Sequence, residues 1–408
     1  MDGIEKIISS EDIFDNYRSM HLAPLMRTTM QLQRWMEDSQ KGYYIALRLK
    51  RKNQILRKLK RFHVRLSQLQ DIAGARIILD KNSDVDEVVN YILRLINSQS
   101  DIKLLKDIDY RAKGRDDSGY RARHMILECD NIKIELQLRS RIQHYWAETI
   151  ERTSVVYGYY LKELEGDIRV LDYFKKLSNF FYEIEIGRKP SIQQHFELQV
   201  SYKQALQVIK TSKRYNVLES HADHDVLKAI YESSAKGSKG NYLNNWILIF
   251  NWTTGNFITW EKAPKDPIDA GAFYAKCEKK YPAGENYEVV LVGASDVETI
   301  EQTHSHYFGI ESYDGVLKNL DASIEAIQLK QKISIEERKI LFVLRRRHCW
   351  NDKTIALSTL KNHHCQGIID FENAIERLLK IGLINRNSPT SPISLNVAQK
   401  HAIDELLN

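Results

Sequence analysis

The sequence predicts an α/β (α+β) fold spread over more than one domain, and three observations carry that expectation. Apolar residues recur with helical spacing along much of the chain, whereas several short segments alternate with a period of two, as half-buried strands do. At 408 residues the chain exceeds what a single hydrophobic core organises, so roughly two or three domains are expected. With 43% hydrophobic and 28% charged residues, and only 7 Pro and 18 Gly, the composition is that of a folded, helix-rich protein. The clearest strand is Ile134 to Arg139: Ile134, Leu136 and Leu138 share one face, leaving Glu135, Gln137 and Arg139 on the other.

The elements follow in order. Helical spacing runs from Ile13 to about Leu66, where Ile55, Leu56, Leu59 and Phe62 form the apolar stripe of a basic helix. Ala75 to Leu79, Met125 to Leu127 and Ile132 to Leu138 read as strands, separated by a helix over Asp86 to Leu95 and a polar loop at Arg111 to Ser118. Helical spacing returns from His144 to Phe181, and Gly187 to Pro190 closes a first domain, 1–190. Helices over Gln194 to Ser233, a hairpin turning at Thr254 and Gly255, a helix over Ala270 to Lys280, the strand EVVLVGA and a helix from Val297 make a small α/β domain, 191–330. Three helices (Ile335 to Arg347, Asp352 to Lys361, Phe371 to Ile381) and the hairpin LINRNSPTSPISL give a winged-helix-like domain, 331–408, with Gly382 at a helix C-cap.

No apolar run approaches the ~20 residues of a membrane span. The start, MDGIEKIISSEDIF, lacks the basic and apolar regions of a signal peptide, and four scattered cysteines suggest no disulfide framework, so a cytoplasmic setting is expected. The net charge of +6 is modest, but Arg48 to Arg65 holds nine Lys or Arg and no acidic residue. Such a run is either a solvated face or a surface for polyphosphate or nucleic acid. SHADHD, Ser220 to Asp225, reads as a helix start. His348–Cys349 and His363–Cys365 have no standard zinc spacing and read as ordinary surface or core residues.

Four motifs fall in order within about a hundred residues: RLKRKNQILRK from Arg48, DIAGARI from Asp71, GYRARH from Gly119, and IELQLRSRIQHYWAE from Ile134. Taken singly, Asp71 reads as a turn residue, Arg76 as an edge residue and Glu135 as a solvent-face residue. Taken together, carboxylates on neighbouring strands, Asp71 and Glu135, have the hard oxygens that Mg²⁺ prefers, and cations at Arg48, Lys50, Lys58 and Arg139 would offset a polyphosphate's charge. There is no GxxxxGK[ST] loop, so side chains rather than backbone amides would hold a triphosphate.

In this combination the chain resembles the synthetase domain of the RelA/SpoT-type nucleotide pyrophosphokinases, especially the small alarmone synthetases without a hydrolase domain. Arg48, Lys50 and Lys58 match the first family motif, Asp71, Gly74 and Arg76 the second, Gly119, Tyr120, Arg121 and His124 the third, and Glu135, Gln137, Arg139, Trp146, Ala147 and Glu148 the fourth. The resemblance covers about Phe14 to Lys189. It implies a mixed-sheet, nucleotidyltransferase-like domain flanked by helices, which moves the β,γ-pyrophosphoryl group of ATP to the 3′-hydroxyl of GDP or GTP, making (p)ppGpp and releasing AMP. By the same resemblance Arg48 and Arg76 sandwich adenine, Lys50 and Lys58 hold the ATP phosphates, and Asp71 with Glu135 holds Mg²⁺. The resemblance also implies that Glu135 and Asp71 are catalytic, with Glu135 drawing the proton from the attacking hydroxyl, that Tyr120 stacks on the acceptor base, and that Arg121, His124, Gln137 and Arg139 arrange the acceptor. Homo-oligomers are expected on the resemblance alone.

The sequence departs from the family at two places. Gln54 stands where a Ser is usual, and the acceptor loop reads AKGRDDSGY, with Asp116 at the usual Lys position. Lys113 and Arg115 are the loop cations that could replace it. The alternatives are therefore a toxin that pyrophosphorylates the 3′ end of tRNA and blocks translation, or a nucleic-acid-binding regulator with a degenerate synthetase domain, the C-terminal domain contacting nucleic acid or protein.

Overall fold

The computed structural model describes residues 12–99, 101–212, 243–254, 256–294, 297–304, 324, 332–389 and 391–407. Ser220 to Asp225 and the turn residue Gly255 lie outside them. The chain divides into two compact units, one of residues 1–35 and 44–314 and one of residues 36–43 and 315–408.

The first unit is built on an eight-stranded mixed sheet in the order β3-β4-β5-β2-β1-β8-β6-β7. Its strands are β1 (Tyr43–Leu49), β2 (Ala73–Leu79), β3 (Lys103–Asp109), β4 (Arg123–Cys129), β5 (Ile132–Ser140), β6 (Asn244–Asn251), β7 (Asn256–Lys262) and β8 (Tyr287–Ala294). β2 and β5 run parallel, while β4 with β5 and β8 with both β1 and β6 are antiparallel. The helices are α1 (residues 12–19), α2 (Leu22–Asp38), α3 (Lys52–Phe62), α4 (Asn82–Gln99), α5 (Arg141–Tyr157), α6 (Ile168–Glu185), α7 (Ile192–Lys210), α8 (Pro267–Lys280) and α9 (Val297–Thr303).

Two strands were not legible as such. YYIALRL sits inside the stretch of helical spacing, yet it forms β1: four consecutive apolar residues suit helix or strand, and partners on both sides decide for strand. β3 is an edge strand exposed on most positions, and Lys103 and Lys106 on its rim are what a strand with one open edge carries. Around them the pattern follows the sequence. Ile134, Leu136 and Leu138 are fully buried, and Glu135 and Gln137 are half-buried. The stripe expected on α3 buries only Ile55; Leu56 and Phe62 face outward.

Local chemistry sets the helix ends. Ser140 caps α5 in a reciprocal box with Gln143, and Gly158 closes it in the left-handed region at φ +85°. Asp167 caps α6 and Ser191 caps α7. Trp146 on α5 donates its indole N–H to the Phe174 carbonyl at 2.9 Å, fixing α5 against α6.

The break expected at residue 190 falls inside this unit. β8, from the middle region, pairs with β1, and one core cluster joins Ala46 and Val155 to Trp246, Leu248, Phe250, Val290, Val292 and Ile300. Burying side chains of this size contributes about 2 kcal/mol each, so middle-region strands and first-region strands are held by one shared core.

In the second unit, α10 (Ile335–Arg346) carries a Ser334–Glu337 capping box, α11 (Phe371–Lys380) precedes a two-stranded β9–β10 ribbon (Ile384–Arg386, Ile393–Leu395), and α12 (Lys400–Leu407) follows. Gly382 takes φ +76° just after α11. The helix expected over Asp352 to Lys361 is replaced by one short helical turn, Leu357–Thr359, leading into a π-helical turn, Leu360–His364. Trp350 and Ile355 bridge to Leu395 and Ile393, so pairing with β10 draws the preceding segment away from helical geometry. Cys349 and Cys365 are buried free thiols.

Candidate active site

The four motifs converge on one face of the sheet. Register places Gly74 beside Glu135 and Arg76 beside Gln137 on β2 and β5, and His124 of β4 on the other side of Gln137. Paired residues project to the same face, so this face carries His124, Glu135, Gln137, Arg139 and Arg76. Asp71 just precedes β2 and Lys50 just follows β1, where the Lys50 amide donates to the Ile72 carbonyl at 2.8 Å.

Asp71 Oδ2 receives two ammoniums, Lys50 Nζ at 2.5 Å and Lys58 Nζ from α3 at 2.7 Å. Burial opposes ionisation of Asp71, but the charges of Lys50 and Lys58 outweigh it and hold the carboxyl below its usual range. Asp71 Oδ1 is buried and has no hydrogen-bond partner. That orphaned oxygen suits a cation. Among the described residues no three His, Cys, Asp or Glu group as a metal site, so any Mg²⁺ here would take its remaining ligands from phosphate and water, as Mg²⁺ commonly does.

Beside this pair, five side chains form a closed hydrogen-bonded circuit. Tyr120 Oη lies 2.7 Å from His124 Nε2, and His124 Nδ1 lies 3.0 Å from Glu135 Oε1. Gln137 Nε2 donates to Glu135 Oε2 at 2.6 Å, and Arg139 Nη2 donates to both Gln137 Oε1 (2.7 Å) and Tyr120 Oη (2.6 Å). Burial disfavours charge on His124, yet Tyr120 and Glu135 raise its pKa to about 9. Burial likewise opposes ionisation of Tyr120, but Arg139 and His124 bring it down to about 7. Glu135 is held far below the ordinary carboxylate range against burial by His124 and Gln137. The circuit thus joins cationic and anionic groups through five side chains, with Arg139 Nε and Nη1 left buried and unpartnered.

The Tyr120 ring is 4% exposed, and the guanidiniums of Arg115 and Arg139 each lie 4.8 Å from its centroid. A base stacking on Tyr120 would exchange with one of them. Gly119 is required here: at φ +79° an added Cβ would stand 3.0 Å from the Lys175 backbone on α6. Arg121 is not part of this face. It is buried against α6, bonding Ser178 (3.0 Å) and Asn179 (2.8 Å) and the carbonyls of Arg111 and Ala112, so it fastens the start of the loop that leads to Gly119. Lys113 is exposed at the loop, Asp116 adopts φ +54°, and Asp117 pairs with Lys175 at 2.7 Å.

On the other side, Arg76 Nη1 donates to the Thr303 carbonyl at 2.7 Å and lies 3.7 Å from Glu148. Burial, with Arg139 and Arg48 nearby, lowers its pKa to about 10, leaving it charged at neutral pH. Sequence reasoning missed His144. Burial holds its imidazole neutral, its pKa lowered to about 3, so Nε2 donates to the Gln302 carbonyl at 2.6 Å. His144 and Glu148 are four apart on α5, a spacing that places both toward Arg76 and was there to be read. Lys162, also missed, pairs with Glu151 at 2.9 Å.

Residues 47–160 match the family model described as the region found in RelA / SpoT proteins, and the chain carries a RelA/SpoT synthetase domain. Among curated proteins it is similar to the GTP pyrophosphokinase YwaC of Bacillus subtilis (strain 168), 32% identical over 87 residues, a stretch that is 19% of this chain and 39% of that relative. The match thus spans well under half of that relative. Solved structures with distant similarity include small alarmone synthetase 1 from Bacillus subtilis bound to its product pppGpp (TM-score 0.35, 17% identity, 47% of this chain and 98% of that one). A GTP pyrophosphokinase family protein from Streptococcus pneumoniae is a further example (TM-score 0.34, 19% identity, 45% and 95%). Among the described residues no helix is long and apolar enough to cross a membrane.

Proposed function

We propose that the protein transfers the β,γ-pyrophosphoryl group of ATP to the 3′-hydroxyl of GDP or GTP, giving (p)ppGpp and AMP. The observation that carries this reading is the pairing of Asp71 with both Lys50 and Lys58 beside the Glu135–Gln137–Arg139 face, with buried polar atoms of both signs, Asp71 Oδ1 and Arg139 Nε and Nη1, left unpartnered. Such a face is built for a polyanion with its cation. Asp71 and Glu135 would hold Mg²⁺, which would offset the phosphate charge. Lys50 and Lys58 exchange Asp71 for the donor phosphates, Arg48 and Arg76 hold the adenine, and Glu135 orients the attacking hydroxyl. That oxygen bonds to the β-phosphorus, its proton passing to Glu135 and on to solvent, as the bond from this phosphorus to the α,β-bridging oxygen breaks and AMP leaves with the bridging oxygen. Positioning and charge do the catalysis, with no covalent nucleophile.

One observation favours tRNA as a second acceptor. α3 exposes Leu56 and Phe62 beside Lys60, Arg61 and Arg65, the mixture of apolar and cationic groups that binds single-stranded nucleic acid. The C-terminal unit, with its helix, helix, hairpin order, we read as winged-helix-like and available to a macromolecular partner. Incubating the protein with β- and γ-labelled ATP and, in turn, GDP, GTP and deacylated tRNA tests both readings: label on GDP or GTP supports the first, label only on tRNA replaces it with the second, and AMP release with neither refutes both.

A further inference from the structure

Both arginines assigned to the adenine are tied to the middle region. Arg48 lies on β1 and pairs in register with Val292 of β8, while the neighbouring Leu47 packs directly on Gly293, where an added Cβ would meet the Leu47 side chain at 2.5 Å. Arg76 is bonded to the Thr303 carbonyl at the end of α9, and His144 to the Gln302 carbonyl before it. β8 and α9 are consecutive. The last carbonyls of a helix lack partners within it and carry its negative end, so a guanidinium and an imidazole N–H are what that end requires.

We propose that β8 and α9 form a brace that positions the donor-nucleotide clamp, with the carbonyls of Gln302 and Thr303 as its contact points; this rests on the donor-site reading above. A hydrogen bond to a carbonyl uses the edge of the Arg76 guanidinium, whereas stacking on a purine uses its face. The brace therefore fixes the plane of Arg76 without occupying the surface that would meet adenine. Thr303 supports the arrangement from within: its hydroxyl bonds the Thr299 carbonyl at 2.6 Å and lies 2.9 Å from His304 Nδ1. Residues 287–304 thus serve the synthetase site although they lie far beyond its sequence motifs.

The test uses the full chain and a non-hydrolysable ATP analogue with Mg²⁺, titrated by calorimetry. Gln302→Ala keeps the backbone carbonyl and should bind within about twofold of wild type. Gln302→Pro disrupts the last turn of α9 and should bind about tenfold more weakly, the factor that goes with losing one charge-assisted hydrogen bond. Thr303→Gly loosens the same turn without breaking it and should shift binding in the same direction by roughly threefold, keeping the test decisive if the proline variant does not fold. KM for ATP should rise while kcat changes less, a split that partial unfolding does not give. Two failures stay apart. Analogue binding that is unchanged or tighter in Gln302→Pro and Thr303→Gly overturns the brace alone, whereas a folded wild type that binds no analogue overturns the donor-site reading and the brace with it.

Discussion

Replacing Asp71 with Asn removes one negative charge and keeps the shape. In the free protein this carboxylate is the shared partner of Lys50 and Lys58, at 2.5 and 2.7 Å, with side-chain exposures of 16%, 14% and 33%. The variant leaves two ammoniums near each other without the carboxylate they share, with Glu135 near Lys50 left to offset them. Breaking a buried ion pair costs about 3–5 kcal/mol, and partial exposure here argues for the lower end, ~3 kcal/mol, or a fall in Tm of several degrees. Acid should act likewise on the wild type: a carboxyl held below its usual range lends stability above about pH 4 that is lost as pH falls further. In the reaction Asp71 would face the metal and the phosphates, so turnover should drop by at least ~10²-fold. Thermal melting and AMP release, measured on the same preparation with saturating ATP and Mg²⁺, check both arms. A variant that melts like wild type, or releases AMP at a near-normal rate, refutes the assignment of Asp71 to this charge cluster.

Two further outcomes follow from the geometry. His144 is neutral in the fold, its pKa lowered to about 3 against an ordinary 6.5, so the folded state binds fewer protons than the unfolded one below neutrality; stability should be intact above pH 6.5 and reduced by about 2 kcal/mol at pH 5. His144→Gln keeps a donor for the Gln302 carbonyl and cannot titrate, so its Tm should fall less steeply between pH 6.5 and 5, and parallel profiles would count against a buried neutral imidazole. Lys113→Ala combined with Arg115→Ala removes the two loop cations that could stand in for the family's usual loop Lys and meet an acceptor's 5′-phosphates; transfer to GDP should fall by about tenfold or more, while undiminished GDP use would leave those phosphates to other residues.

The sequence by itself determined which side chains the polar face carries: the period-2 face Glu135–Gln137–Arg139, the cations before and within α3, and Asp71 at the head of β2 are local patterns. It also determined the C-cap at Gly382 and the buried face of β5, because capping and alternation are set by residues within a few positions. Only the tertiary structure decided the rest. β1 looked helical until β2 and β8 claimed its backbone bonds, and β3 carried no apolar face to betray it. Arg121 matched a binding motif, yet its donors go to Ser178 and Asn179 of α6 and to the carbonyls of Arg111 and Ala112. His144 and the carbonyls of α9 meet across 158 residues of chain, a contact no spacing rule can foresee, since the pairing depends on which sheet edge β8 joins. Periodicity reports how an element faces its core; which elements share that core is settled by long-range pairing and packing, and that is how the middle-region strands came to join β1 in one sheet.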